Sequence, residues 1–163
     1  LGREGSRNYF GSCYVEGTTD FIFGHSTAVF KDCEIHAKAN SFITAPSTPA
    51  AIPFGFVLMD CRITAEPECT RLFLGRPWRK DGASAFIRCE FGPQIVPQGW
   101  NNWGSAESEK TARFVEYGNT GNGADTSARP AWIHVLDARE ALSYTVENIF
   151  SSTGVGGPWM PEL

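Results

Sequence analysis

The sequence predicts an all-β protein, a right-handed parallel β-helix wound as a single-stranded solenoid, with a short, partly helical C-terminal extension. Three observations predict it. Cys13, Cys33, Cys61 and Cys89 recur at separations of 20, 28 and 28, each set among apolar residues. Short apolar runs of one length repeat as well: Phe21-Ile22-Phe23-Gly24, Phe42-Ile43-Thr44-Ala45 and Leu72-Phe73-Leu74-Gly75. Helical periodicity is nearly absent over the first hundred residues, where Gly and Pro punctuate the chain instead. A strand-sized unit that recurs every 20 to 30 residues cannot bury itself alone, and stacking on its neighbours is what gives it a core.

Taken in order, the cysteine units are Tyr9 to Val15, Val29 to Ile35, Val57 to Ile63 and Phe86 to Phe91. The thiol at the repeated position is expected to point inward as a small apolar group, so that the four form one ladder. Pairing into disulfides is the competing reading. Metal ligation is not expected, because there is no CxxC and no Cys and His at ligand spacing. Cys69 stands outside the pattern. The run Phe21-Ile22-Phe23 is read as a strand buried on both faces. Coils are expected from about Tyr9 to Tyr117, with Gly104 to Lys110 a polar turn region and Ala112 to Tyr117 the last strand. Residues 118–163 form the extension. Asn119 to Arg129, rich in Gly, Asn, Asp and Ser, reads as an exposed loop. Asp137 to Ala141 fits a helix whose N-cap Asp137 and Glu140 make a capping box, and Tyr144 to Phe150 is a weaker helix candidate. The tail Gly154 to Pro161 is expected to lie extended over the solenoid, held by Trp159, and to shield its open edge.

Composition narrows the function. At 163 residues and 42% hydrophobic, the chain can bury a core and is expected to be one domain. A net charge of −4 without a long basic run argues against nucleic acid, which needs clustered Lys or Arg. No apolar run approaches the ~20 residues that span a bilayer, and nothing at the start reads as a signal peptide.

Asp20 heads the first apolar run, a setting in which a carboxylate is partly desolvated and its reactivity tuned. A turn residue after Thr18-Thr19 is the plainer alternative. Arg76 follows the third run and is stiffened by Pro77, with Trp78 beside it. Parallel strands lie ~4.8 Å apart, so coils two steps removed are separated by roughly 10 Å, a gap that an extended arginine largely covers. Arg76 is therefore expected to reach Asp20 and hold it ionised with a planar fork that lysine lacks. An ion pair of purely structural use is the alternative for Arg76. Trp78, Trp100, Trp103, Phe23 and Phe42 lie in or beside these segments, and indole faces stack well on pyranose rings. Most of the twelve phenylalanines, Trp132 and Trp159 are assigned to packing. His25, His36 and His134 have no nucleophile partner and are read as surface or core residues.

Tyr14-Val15-Glu16-Gly17 followed by Asp20-Phe21-Ile22-Phe23-Gly24, together with Leu74-Gly75-Arg76-Pro77-Trp78, resembles the signature segments of pectinesterases. The likeness continues through Ser41 to Ala45, Gly55-Phe56-Val57, Gly99 to Trp103 and Glu116 to Gly121, nearly the whole chain. It implies hydrolysis of the methyl esters of pectin, methylated polygalacturonate, to pectate and methanol, with no cofactor. Asp20 would be the nucleophile, Arg76 its partner, and Phe23 and Trp78 the substrate-binding residues. It also implies a secreted or periplasmic location; a monomer is expected. Pro46 stands where many relatives carry glutamine. The acid/base Asp and oxyanion glutamines of the family lie just ahead of the Tyr14 strand, whereas Leu1 to Ser12 holds Glu4 as its only acid. The chain is therefore expected to be the C-terminal part of a catalytic domain, lacking N-terminal coils and inactive by itself. Two other classes stay open: a polygalacturonate lyase or glycosidase on the same fold, and a non-catalytic carbohydrate-binding solenoid. A glycosidase needs two nearby carboxylates and a lyase usually a calcium cluster of Asp residues, and neither is visible around Asp20.

Overall fold

In the computed structural model, which describes residues 1–3, 5–152, 157 and 159–162, the chain winds as a parallel β-helix with three sheet faces. Each of the first three turns contributes one strand to each face. The first turn supplies β1 (Arg7–Gly11), β2 (Tyr14–Gly17) and β3 (Ile22–Gly24), the second β4 (Thr27–Lys31), β5 (Glu34–Ala37) and β6 (Phe42–Pro46). The third supplies β7 (Phe56–Met59), β8 (Arg62–Ala65) and β9 (Phe73–Gly75), and the fourth β10 (Ala83–Ile87) and β11 (Glu90–Phe91). With β12 (Arg113–Tyr117) and β13 (His134–Val135), the sheet orders are β1-β4-β7-β10-β12-β13, β2-β5-β8-β11 and β3-β6-β9, every pairing parallel.

The corner between the first two faces explains the cysteine repeat. Ser12, Asp32, Asp60 and Arg88 all adopt the left-handed conformation, with φ of 52°, 54°, 55° and 53°, and each precedes a ladder cysteine. Asp tolerates this region because its short side chain bonds locally. Arg88 is the strained member, and two hydrogen bonds to Asp60 on the preceding turn hold it, at 2.8 and 3.0 Å. The chain then turns Cys inward. All five cysteines are free thiols, and Cys33, Cys61 and Cys89 donate to the carbonyls of Phe10, Phe30 and Leu58 one turn back, at 3.2–3.4 Å. The disulfide alternative is thereby set aside. Burial pushes the Cys33 thiol up to about 11, which keeps it unreactive. At the next corner Gly118 has φ of 62° and Asn119 replaces the cysteine, its Oδ1 accepting from the Cys89 N–H at 2.8 Å. Cys69 joins the same interior cluster.

That interior holds stacked side chains such as Phe10 on Phe30, 4.6 Å between centroids, and a nest of Phe86, Trp100 and Phe114. Outside the first sheet, Val29, Val57, Ala85, Ile87 and Val115 are covered by the C-terminal extension through Leu136, Ala141, Ile149 and Phe150. Here α2 (Ala138–Ala141) carries the expected capping box of Asp137 and Glu140, and α3 (Val146–Ser152) falls on the weaker candidate.

Several expectations need correction. Phe21-Ile22-Phe23 is not buried on both faces: Ile22 points inward, but Phe23 is 51% exposed because its face is the open one. The segment Gly104 to Lys110 contains a short helix, α1 (Ala106–Glu109), nucleated by Ser105 accepting from the Ser108 N–H. Asn119 to Arg129 is only partly an exposed loop, since Arg129 turns inward and its side chain is 3% exposed. Residues 154–156 and 158 of the tail lie outside the described residues; Trp159 packs edge-on to Phe150 at 5.0 Å. Among the described residues no helix is long and apolar enough to cross a membrane.

Candidate active site on the third sheet

The site is built on β3, β6, β9 and the segment after Gly99. Asp20 sits just before β3 in the left-handed conformation, φ 51°, and its N–H donates to the Phe42 carbonyl at 2.8 Å. That bond pins the backbone and aims the carboxylate outward along the solenoid. Two turns on, Arg76 leaves the end of β9, and its N–H donates to the Thr44 carbonyl. Its Nε donates to Asp20 Oδ1 at 3.0 Å and its Nη2 to Oδ2 at 2.6 Å, a bidentate pair across the two-turn gap. Both side chains are about one-fifth exposed, 18% for Asp20 and 20% for Arg76, so the pair is accessible yet shielded from bulk water.

The guanidinium is also held between two rings. Its central carbon lies 3.9 Å from the centroid of Phe42 and 3.7 Å from that of Trp103. Such contacts contribute ~0.5–2 kcal/mol each and, more usefully here, fix the plane of the fork. Trp103 is itself left-handed, φ 58°, and its N–H is tied to Asn101 Oδ1 at 2.8 Å. Two non-glycine residues in strained backbone flank one arginine, a concentration of strain that requires support elsewhere. Three residues before Trp103, Trp100 anchors the same segment: it is buried and donates from Nε1 to Glu116 at 2.8 Å. Glu116 in turn pairs with Arg129. Gly75 belongs to the same assembly, because a side chain there would run into Thr44 Oγ1 and the Trp100 ring.

Phe23 and Trp78 meet edge to face at 5.9 Å beside the ion pair, and the Trp78 N–H donates to the Pro46 carbonyl at 3.0 Å. His25 stacks on Trp78 at 6.4 Å and bonds Ser47 Oγ through Nδ1 at 2.7 Å. All four residues expected at the site, Asp20, Arg76, Phe23 and Trp78, thus lie on one face. The sequence groups Phe42, Trp100 and Trp103 with the sugar-facing aromatics; instead Phe42 and Trp103 clamp Arg76, for which proximity to the motifs is the sole signal, and Trp100 is buried in the core. His25, expected as a surface or core residue, lies beside Trp78 instead, and its position directly after Gly24 is the hint the sequence offers. Among the described residues no cluster of three or more His, Cys, Asp or Glu is placed to hold a metal ion.

Fold and site define the class: a parallel β-helix protein with a guanidinium-clamped carboxylate among exposed aromatics on one sheet. Comparison with known proteins narrows it. The pectinesterase family model matches residues 2–153, and the chain belongs to that family. It is 37% identical over 155 residues to pectinesterase 31 of Arabidopsis thaliana, covering 94% of this chain and 49% of that protein. Among solved structures it resembles the pectin methylesterase from carrot, with a TM-score of 0.83 and 32% identity over 90% of this chain and 50% of that one. It also resembles the pectin methylesterase from Aspergillus niger, with a TM-score of 0.74 and 27% identity over 83% and 45% of the two chains. The chain thus spans about half or less of the length of these relatives.

Proposed function

We propose that this chain carries the nucleophile half of a pectin methylesterase site and that, in the complete protein, it hydrolyses the methyl esters of polygalacturonate. The bidentate Arg76–Asp20 pair, clamped between Phe42 and Trp103, is the observation that carries this reading. A carboxylate whose two oxygens each accept one guanidinium N–H is held in one orientation, and each oxygen keeps a lone pair for attack. Asp20 then adds to the ester carbonyl carbon, the carbon–methoxy bond breaks, and methoxide leaves as methanol with a proton from a general acid. Water cleaves the resulting anhydride, releasing the free galacturonate and regenerating the Asp20 carboxylate. Phe23 and Trp78 offer faces to the sugar rings on either side.

One carboxylate cannot also donate the proton and hold the oxyanion. In this reading those parts come from chain ahead of Leu1 in the complete protein, so residues 1–163 alone are expected not to turn over. A secreted or periplasmic monomer, active where pectin is found and needing no cofactor, accords with this chemistry. The test is methanol release from methylated pectin by the full-length protein and its Asp20→Asn variant. Asn keeps shape but not the attacking oxyanion, so turnover should fall by several powers of ten while pectin still binds. Retention of more than about a tenth of turnover, a barrier cost below ~1.4 kcal/mol, would overturn the assignment.

A further inference from the structure

At the corner where the chain leaves the third sheet, three successive turns lie side by side. Gly24 pairs with Pro46 in parallel register, and the Trp78 N–H donates to the Pro46 carbonyl at 3.0 Å. The half-buried indole of Trp78 meets three groups there. Phe23 touches it edge-on at 5.9 Å, and the Arg79 guanidinium carbon lies 5.0 Å from its centroid. The His25 imidazole lies nearly parallel to it, 12° between planes and 6.4 Å between centroids. Phe23 has no polar atom to anchor its ring, and the exposed Arg79 bonds the carbonyl of Trp78 itself. His25 differs. Its N–H donates to the Leu1 carbonyl at 3.1 Å, and its Nδ1 shares a 2.7 Å hydrogen bond with Ser47 Oγ. Ser47 is buried, and its own N–H donates to the Gly24 carbonyl at 2.8 Å. The imidazole is thus fixed at its root and at its ring, on a residue that is itself packed.

We infer that His25 is a positioning residue for substrate recognition: it holds the Trp78 indole in the orientation that meets the sugar, with Ser47 as the anchor that fixes the imidazole. Parallel rings at this separation attract in an offset stack, and their contact resists rotation of either side chain. An indole held in one rotamer before the ligand arrives loses less freedom on binding, so the gain appears as affinity. Stacking on a sugar is present in ground and transition states alike, so KM rather than kcat answers to His25. Nδ1 is committed to Ser47 in either ring tautomer, with the hydroxyl donating or accepting, and His25 acts through Trp78 rather than on the ester. This inference rests on the pectin reading above.

The test follows methanol release from methylated pectin by the full-length protein and its His25→Ala, His25→Phe, Ser47→Ala, Trp78→Ala and His25→Ala/Trp78→Ala variants, each checked for fold by far-ultraviolet circular dichroism. Expected in His25→Ala is a KM raised about three- to tenfold with kcat within about twofold of the wild type. The flat ring of His25→Phe should recover most of that loss, and Ser47→Ala should raise KM about twofold. The double variant should match Trp78→Ala alone, because without the indole His25 has nothing to hold. Additive effects on KM, or a loss confined to kcat, would overturn the assignment. Near-ultraviolet circular dichroism reads the same contact without substrate: His25→Ala should change the indole bands of the wild type and leave those of Trp78→Ala as they are. Unchanged bands in both would overturn the positioning role and leave the pectin reading standing. If His25→Ala does not fold, His25→Phe and Ser47→Ala carry the same comparisons. If the full-length wild type releases no methanol, the pectin reading and the role in substrate recognition fall together.

Discussion

Replacing Arg129 with methionine should destabilise the protein far more than its place in a polar loop suggests. The Arg129 side chain is 3% exposed and that of Glu116 1%. Arg129 donates to Glu116 at 2.7 and 3.2 Å and also to the carbonyls of Pro97 and Gly123. Methionine fills comparable space but leaves a buried carboxylate with, among the described residues, Trp100 and Asn119 as its remaining side-chain donors. Removing one partner of such a pair typically costs about 3–5 kcal/mol, because the other charge stays buried. For a chain of this size that lowers the thermal midpoint by roughly 6–20 °C. Adding Glu116→Gln to Arg129→Met removes the stranded charge, so the double variant should recover about 2 kcal/mol or more relative to the sum of the singles. Urea unfolding followed by circular dichroism, at unchanged slope, reads all three values. A single-variant cost under about 1 kcal/mol, or strict additivity, would refute this account of the buried pair.

Arg76→Lys in the complete protein keeps a positive charge but loses both the fork and the ring clamp, so methanol release should drop clearly without vanishing; unchanged turnover would separate the clamp from catalysis. Trp78→Ala should raise KM with little change in kcat, since stacking on a sugar is present in ground and transition states alike; a loss confined to kcat would contradict that role. Burial pushes Tyr144 up to about 12, and this acid is neutral when protonated, so the folded state holds its proton more tightly than the unfolded one. Its contribution to stability is complete below pH ~10 and lost as pH rises toward 12, so Tyr144→Phe should flatten the alkaline decline. A phenolate titration at 295 nm should lose its latest-titrating tyrosine in that variant, and an unchanged curve would count against the burial effect.

Spacing along the chain was enough to place the solenoid and to bring Asp20 and Arg76 together. Side chains on neighbouring turns repeat because parallel strands keep one register, so inward cysteines and apolar runs recur along the chain and are legible as spacing. The same register set the two-turn gap between Asp20 and Arg76, which an arginine spans. The capping box of Asp137 and Glu140 was legible for a related reason, as its bonds are local. Which face stays open, and so why Phe23 lies at the surface while Ile22 does not, follows from how the coils and the extension pack. The tertiary structure alone brought Trp103 and Phe42 onto the Arg76 guanidinium, and drew Arg129 out of a loop rich in polar residues to meet Glu116. The Trp103 and Arg129 contacts join segments whose separation follows no repeat. Their partners are set by how loops of unequal length fold back on the coils, and spacing along the chain carries no record of that.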